Sequence, residues 1–210
     1  MDIVQIINIQ IVLTVFNMKK KITINIIIQI LLFIVLIGID QLTKNLVVMN
    51  LKDKDPIALI DGVLEFRYLE NTGAAFSMFQ NRQWLFYIIT AIVLIIIIFL
   101  YVRVTRSLTK YSDLTGDAFR QKTFNNGIFL NYILVVLAAG AVGNLYDRIV
   151  LHYVIDFIYV RLINFPIFNF ADICVTLSAI LLVVFFIFIY KEDENFVLFT
   201  DKKKSGKAEK

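Results

Sequence analysis

Four runs of the chain, residues 22–39, 84–102, 128–146 and 173–190, hold no charged side chain, and each is long enough to cross a bilayer as a helix. The stretch between the first two has a different rhythm. Leu64, Phe66 and Tyr68 alternate with Glu65 and Arg67, the period of a half-buried strand. Asp61-Gly62, preceded by Ile57-Ala58-Leu59-Ile60, is the matching turn signal. The pattern predicts an all-α membrane fold: a bundle of four transmembrane helices with a small extracytoplasmic β-sheet between the first two spans. Residues 103–127, with five Lys or Arg, read as a polar loop, and residues 191–210, with Lys202-Lys203-Lys204, as a charged, disordered cytoplasmic tail. Residues 1–16 are mostly apolar, with Asp2 their single charge, but too few for a confident span. They precede Met18-Lys19-Lys20-Lys21, which resembles a natural start, and no small-residue signal-peptide cleavage site follows. The expected division is an N-terminal extension or frayed interfacial segment (1–17), a four-span domain (18–190) and the tail.

Composition agrees with a membrane protein: 59% of the 210 residues are hydrophobic, and the mean hydropathy of +0.77 is too high for an ordinary soluble domain. The net charge of +4 does not point to nucleic acid, because the basic residues gather at segment ends rather than along one face. Their distribution instead sets an orientation. The head, the 103–127 loop and the tail hold 14 Lys and Arg, and the other two connections hold 7. The positive-inside rule then places both termini in the cytoplasm. It also gathers Asp40, Asn71, Asn144, Asp147, Arg148, Asp156, Asn169 and Asp172 at the outer face.

Taken singly, these residues have plain explanations. Asp40 and Lys44, four apart, pair on a continuing helix, or Asp40 is a helix-end charge in solvent. Asp147-Arg148 reads as a local ion pair ending a helix. Asp172, just before the fourth span, suits a helix N-terminus. Ala139, Gly140 and Gly143 form the small-residue pattern through which membrane helices touch. Gly73, with Ala74 and Ala75 after it, permits close backbone approach. Together the carboxylates are harder to dismiss. Asp156 is flanked by Ile155, Phe157 and Ile158, and a carboxylate in such company is costly to ionise. His152 is the only histidine and reads as a loop residue, so neither a Ser-His-Asp arrangement nor a His-based zinc site has support. Cys174, the only cysteine, lies in an apolar run as a packed thiol. With no cofactor or metal site in the sequence, hydrolysis by two carboxylates sharing one proton is the chemistry left.

Five blocks occur in order among the four spans: DQLTK at 40–44, NTGAAFS at 71–77, GAVGNLYDR at 140–148, VIDF at 154–157 and FNFAD at 168–172. The chain thereby resembles the bacterial lipoprotein signal peptidases (signal peptidase II) over roughly residues 18–190. The resemblance implies an aspartic endopeptidase of the cytoplasmic (inner) membrane, active at its outer face. Such an enzyme cuts the signal peptide from prolipoproteins just before a diacylglyceryl-modified cysteine. It implies Asp156 and Asp172 as the catalytic pair and Asp40, Asn71, Gly73, Asn144, Asp147, Arg148, Asn169 and Ala171 as binding or supporting residues. The partners implied are lipid-modified prolipoproteins and membrane lipids, with no nucleic acid and a monomeric enzyme. Where the family has a glycine pair, Ala139-Gly140 stands here. Three rivals predict otherwise. A small ion-coupled transporter needs acids near mid-span, whereas these sit at span ends. A presenilin-like diacidic protease needs a Gly-x-Gly-Asp that is absent. A purely structural subunit would be indifferent to changes at Asp156 or Asp172.

Overall fold

The computed structural model describes residues 3–73, 83–112 and 118–190. Helix α1 (Ile3–Leu51) leads to strands β1 (Ile57–Ile60) and β2 (Leu64–Asn71), then helices α2 (Gln83–Ser112) and α3 (Ala118–Val150). Strand β3 (Val154–Val160) and a short 3-10 turn (Arg161–Ile163) precede helix α4 (Phe170–Val184), which ends in a π-helical turn (Phe185–Tyr190). Each of the four long helical segments is long and apolar enough to cross a membrane. Their outward faces confirm the solvent. Ile88, Ile92, Ile95, Ile96 and Phe99 on α2 and Ile27, Leu31 and Ile34 on α1 are all exposed, a surface suited to lipid rather than water. The protein is integral to a membrane.

Helices run further than the apolar spans. With 49 residues, α1 measures about 73 Å at about 1.5 Å per residue, more than twice the hydrocarbon core. It begins at Ile3, so residues 3–17 continue the first helix rather than forming a frayed lead-in. At its other end it carries residues 45–51 with it. Most of the expected 103–127 loop is likewise helical, split between the end of α2 and the start of α3. Charged side chains mark where a helix leaves lipid; they do not end it, because Lys and Arg are themselves good helix formers.

Two clusters form the core. Ile22, Ile97, Val104, Leu108, Phe124, Leu130, Leu134 and Phe185 pack all four helical segments together in one half of the bundle. At the other end, Val47 and Leu51 of α1 pack on Ile155 and Phe157 of β3, seating the sheet on the bundle. Between these clusters α3 meets its neighbours through glycine. A Cβ on Gly140 would lie 2.5 Å from the carbonyl oxygen of Ala171, and one on Gly143 would lie 2.6 Å from Asp40 Oδ2. Both approaches exclude any side chain.

The sheet is antiparallel in the order β1-β2-β3, so its third strand comes from beyond the third span, not from the first connection alone. Leu69 pairs with Asp156 and Asn71 with Val154, past a register shift between Phe66 and Leu69. Such a shift turns the remaining side chains to the opposite face. The alternation in β2 holds in part. Arg67 is exposed, but Glu65 is buried, held by Arg67 (2.9 Å) and Arg161 (3.5 Å). Phe168 folds back on β3: its carbonyl accepts from the backbone N–H of Phe157 (3.0 Å) and Ile158 (2.8 Å), and its own N–H donates to Ile158 (3.0 Å). That clamp brings the first residues of α4 against Asp156.

Candidate active site

Asn169 is the N-cap of α4, and its extended backbone (φ −130°) leaves the side chain free to turn back. Its Oδ1 accepts from the Asp172 backbone N–H (3.0 Å), while Asp172 Oδ2 accepts from the Asn169 backbone N–H (3.0 Å). This reciprocal capping box, Asn-x-x-Asp, fixes the Asp172 carboxylate at the mouth of the helix. The other Asp172 oxygen accepts from Asn144 Nδ2 at 2.7 Å.

Asp156 is buried in β3. Its Oδ1 accepts from Asn169 Nδ2 and its Oδ2 from Asn71 Nδ2, both at 2.7 Å. Asn169 therefore touches both carboxylates, one through its amide side chain and the other through its backbone. Burial and, next, the charge of Asp172 push Asp156 up to about 7, against the pull of hydrogen bonds from Asn71 and Asn169 and of the Lys44 charge. Both aspartates line a cleft of about 510 Å3. Asn71, Asn144 and Arg148 form its polar wall; Phe165, Ile167, Phe168, Ile173 and Leu177 form its apolar one.

Behind the cleft lies a layer that the sequence reading did not connect. Lys44 is almost wholly buried, and its ammonium group lies 2.8 Å from Asp40 Oδ2 and 2.9 Å from Asp147 Oδ2. It also donates to Asn144 Oδ1 at 3.1 Å. An ammonium only donates, so Lys44, together with Asn169 Nδ2 (3.0 Å to the same oxygen), fixes the carbonyl end of the Asn144 amide and thereby aims its NH2 at Asp172. Gln41 bridges the same two acids, donating to Asp40 Oδ2 (3.1 Å) and Asp147 Oδ1 (2.9 Å). Each acid also holds a backbone N–H. Asp40 Oδ1 accepts from the N–H of Ala171 (3.1 Å), and Asp147 Oδ2 accepts from the N–H of Ile155 (3.2 Å), each the neighbour of a cleft aspartate.

Every proposed site residue thus falls in one cluster, with changes in partner. Asp40 is buried rather than solvated. Asp147 pairs with Lys44, not with Arg148. The Arg148 guanidinium lies over the Phe86 ring (4.7 Å) and donates to the carbonyls of Asn144 (3.2 Å) and Gly73 (3.4 Å). Gly73 is buried, and its N–H donates to Asn71 Oδ1 (2.9 Å). Ala74 and Ala75 lie outside the described residues. His152 occupies the turn before β3 with φ 67°, and Cys174 is a buried free thiol. The signal for Lys44 was present as an Asp-x-x-x-Lys spacing at the end of an apolar run, but spacing alone reads as an ordinary surface pair.

The profile of the signal peptidase (SPase) II family matches residues 32–188. The lipoprotein signal peptidase of Lactobacillus johnsonii is 37% identical over 155 residues, 73% of this chain and 88% of that protein. That of Clostridioides difficile is 35% identical over 159 residues, 76% and 94% of the respective chains. Among solved structures, a bacterial membrane enzyme determined by the in meso method superposes with a TM-score of 0.60 at 28% identity. The match covers 85% of this chain and 94% of that one.

Proposed function

Because this chain belongs to the signal peptidase II family, we propose that it removes signal peptides from prolipoproteins as an aspartic endopeptidase, with Asp156 and Asp172 as its catalytic pair. The observation that carries this reading is the double contact of Asn169 with both carboxylates at the cleft. Two acids so close do not both ionise easily, and they share one proton. Asp156, raised to about 7, is the carboxyl that holds it at rest. A water bound between the acids gives a proton to Asp172 and attacks the scissile carbonyl, while Asp156 protonates the carbonyl oxygen. Collapse of the tetrahedral intermediate returns the proton from Asp172 to the leaving amine. Asn71, Asn144 and Asn169 orient the acids, and Arg148 presents donors to the peptide within the cleft. Lys44, with Asp40, Gln41 and Asp147, is the frame that aims Asn144 and the chain on either side of the pair.

The scissile bond lies immediately before a diacylglyceryl-modified cysteine. The apolar wall of the cleft, continuous with the lipid-facing surface of α4, supports this: the acyl chains stay in lipid while the peptide reaches the acids. Basic residues at the opposite end of the bundle support a cytoplasmic location for both termini and a site at the outer membrane face. The working domain is residues 18–190, flanked by segments 1–17 and 191–210, and it acts as a monomer surrounded by membrane lipid. The test is cleavage of one prolipoprotein in lipidated and unlipidated form by purified enzyme. Selective cleavage of the lipidated form is expected; equal cleavage of both would assign a general peptidase.

A further inference from the structure

In the half of the bundle away from the acids, three helices share a second polar cluster. On α1, Gln29 lies eleven residues, or about 16 Å along the helix, before Asp40. Gln29 Oε1 accepts from the Tyr101 hydroxyl of α2 at 2.7 Å. Asn131 Nδ2 of α3 donates to Thr105 Oγ1 of α2 at 2.9 Å, and the Tyr132 hydroxyl donates to Asn25 Oδ1 of α1 at 2.9 Å. Gln29 and Asn131 are each only 2% exposed, although lipid surrounds the bundle. Asn131 Oδ1 is buried and accepts no hydrogen bond from any described residue. A small cavity of about 10 Å3 lies among these side chains, lined by Asn25, Gln29, Thr105 and Asn131 as well as by aliphatic groups.

We infer that this cavity between α1, α2 and α3 is a binding site for a single structural water, anchored on Asn131 Oδ1. The volume is about that of one water probe, and a cavity of this size holds water when two to four polar groups line it; four do here. A water there donates to Asn131 Oδ1 and to a second oxygen, such as Asn25 Oδ1. It accepts from the Gln29 amide or the Thr105 hydroxyl, both of which have donors to give. The lining carries no carboxylate, so a metal cation at this depth would lack a counter-charge. The water gives the orphan acceptor a partner and adds to the direct hydrogen bonds that join the three helices here. Its position on α1 links it to the active site. Eleven residues are about three turns, so Gln29 lies on the same face of α1 as Asp40. Holding Gln29 inward fixes the helix rotation that also turns Asp40 and Lys44 toward α3.

Two measurements on the full-length protein test this. A crystal structure at a resolution that shows ordered water should carry a density peak within hydrogen-bond distance of Asn131 Oδ1. No peak there, or a peak with the crowded oxygen shell and sodium dependence of a cation, would overturn the inference. The second is thermal unfolding in detergent of the double variant Thr105→Val/Asn131→Leu, which removes the direct bond as a pair and leaves apolar groups of similar shape. Around a dry cavity this exchange is neutral or stabilising, since it also deletes an orphan acceptor. Around a bound water it strands the water's remaining partners, and the midpoint should fall by about 3 °C or more. An unchanged or raised midpoint would overturn the inference.

Discussion

Replacing Lys44 with methionine keeps the length of the side chain and removes its charge. At separations of 2.8 and 2.9 Å, the attractions to Asp40 and Asp147 are each about 6 kcal/mol at an effective dielectric of about 20, before the cost of desolvating the ions. Removing one partner of a buried ion pair is typically worth about 3–5 kcal/mol, and here two buried acids lose the same cation. Lys44→Met should therefore be markedly less stable. A second loss is local to the chemistry. Without Lys44, only Asn169 Nδ2, which also donates to Asn144 Oδ1 (3.0 Å), is left to hold the Asn144 amide with its NH2 toward Asp172. A hydrogen bond to a charged group is worth about 1.5–3 kcal/mol, so complete loss of the Asn144–Asp172 bond would lower kcat about 10- to 150-fold; Lys44→Met, which weakens its support, should lower kcat within that bound with KM little changed. The triple variant Lys44→Met/Asp40→Asn/Asp147→Asn separates the two losses. Neutralising the acids should restore thermal stability toward wild type without restoring kcat. Because the Lys44 charge pulls Asp156 down, the basic limb of the pH–rate profile should also move to higher pH in Lys44→Met. Cleavage of a lipidated prolipoprotein at matched membrane abundance is the assay. A wild-type rate in Lys44→Met, or a triple variant that regains both stability and kcat, would refute the reasoning.

Asp156 stands at about 7 against an ordinary 3.8, so the native protein keeps that proton until the pH passes about 7. Cleavage should decline above that pH, and a rate still rising at pH 9 would contradict the shared proton. The same raised value contributes stability that is complete below about 3.8 and is lost as pH rises through about 7, which pH-dependent unfolding would record for wild type but not for Asp156→Asn. Gly143→Ala should lower both activity and unfolding midpoint, because its Cβ would lie 2.6 Å from Asp40 Oδ2; Gly38→Ala, with nothing within 4 Å, is the neutral control. In intact cells an impermeant thiol reagent should label Lys54→Cys and spare Thr115→Cys; labelling at 115 would invert the proposed orientation.

The four helices were legible because lipid demands long uncharged runs, and the β1–β2 hairpin because Asp61-Gly62 and the alternation after it are local signals. Strand β3 was not. Val154 to Val160 is nearly all apolar, so it shows no alternation, and its partner β2 lies far away in sequence. Helix ends were misread because charge reports the lipid boundary rather than the hydrogen-bond ladder. The site residues were legible as types and as motif blocks, and the Asn169–Asp172 spacing is itself a capping-box pattern. Their pairing was not. Nothing in the order Asp147-Arg148 tells that the acid turns inward to Lys44 while the arginine lies over Phe86. That choice depends on how closely Gly140 and Gly143 let α3 approach α4 and α1.

The central claim is that Asp156 and Asp172 act as one catalytic unit. Its most direct test is the single-turnover rate on a lipidated prolipoprotein for wild type, Asp156→Asn, Asp172→Asn and the double variant, at equal abundance in one lipid bilayer. Loss of acid–base function predicts a fall of about 10²–10⁴-fold for each single variant, and the double variant should be little slower than either. Near-normal cleavage by either single variant would remove that residue from the pair. A double variant slower by the product of the two effects would show that the carboxylates act independently.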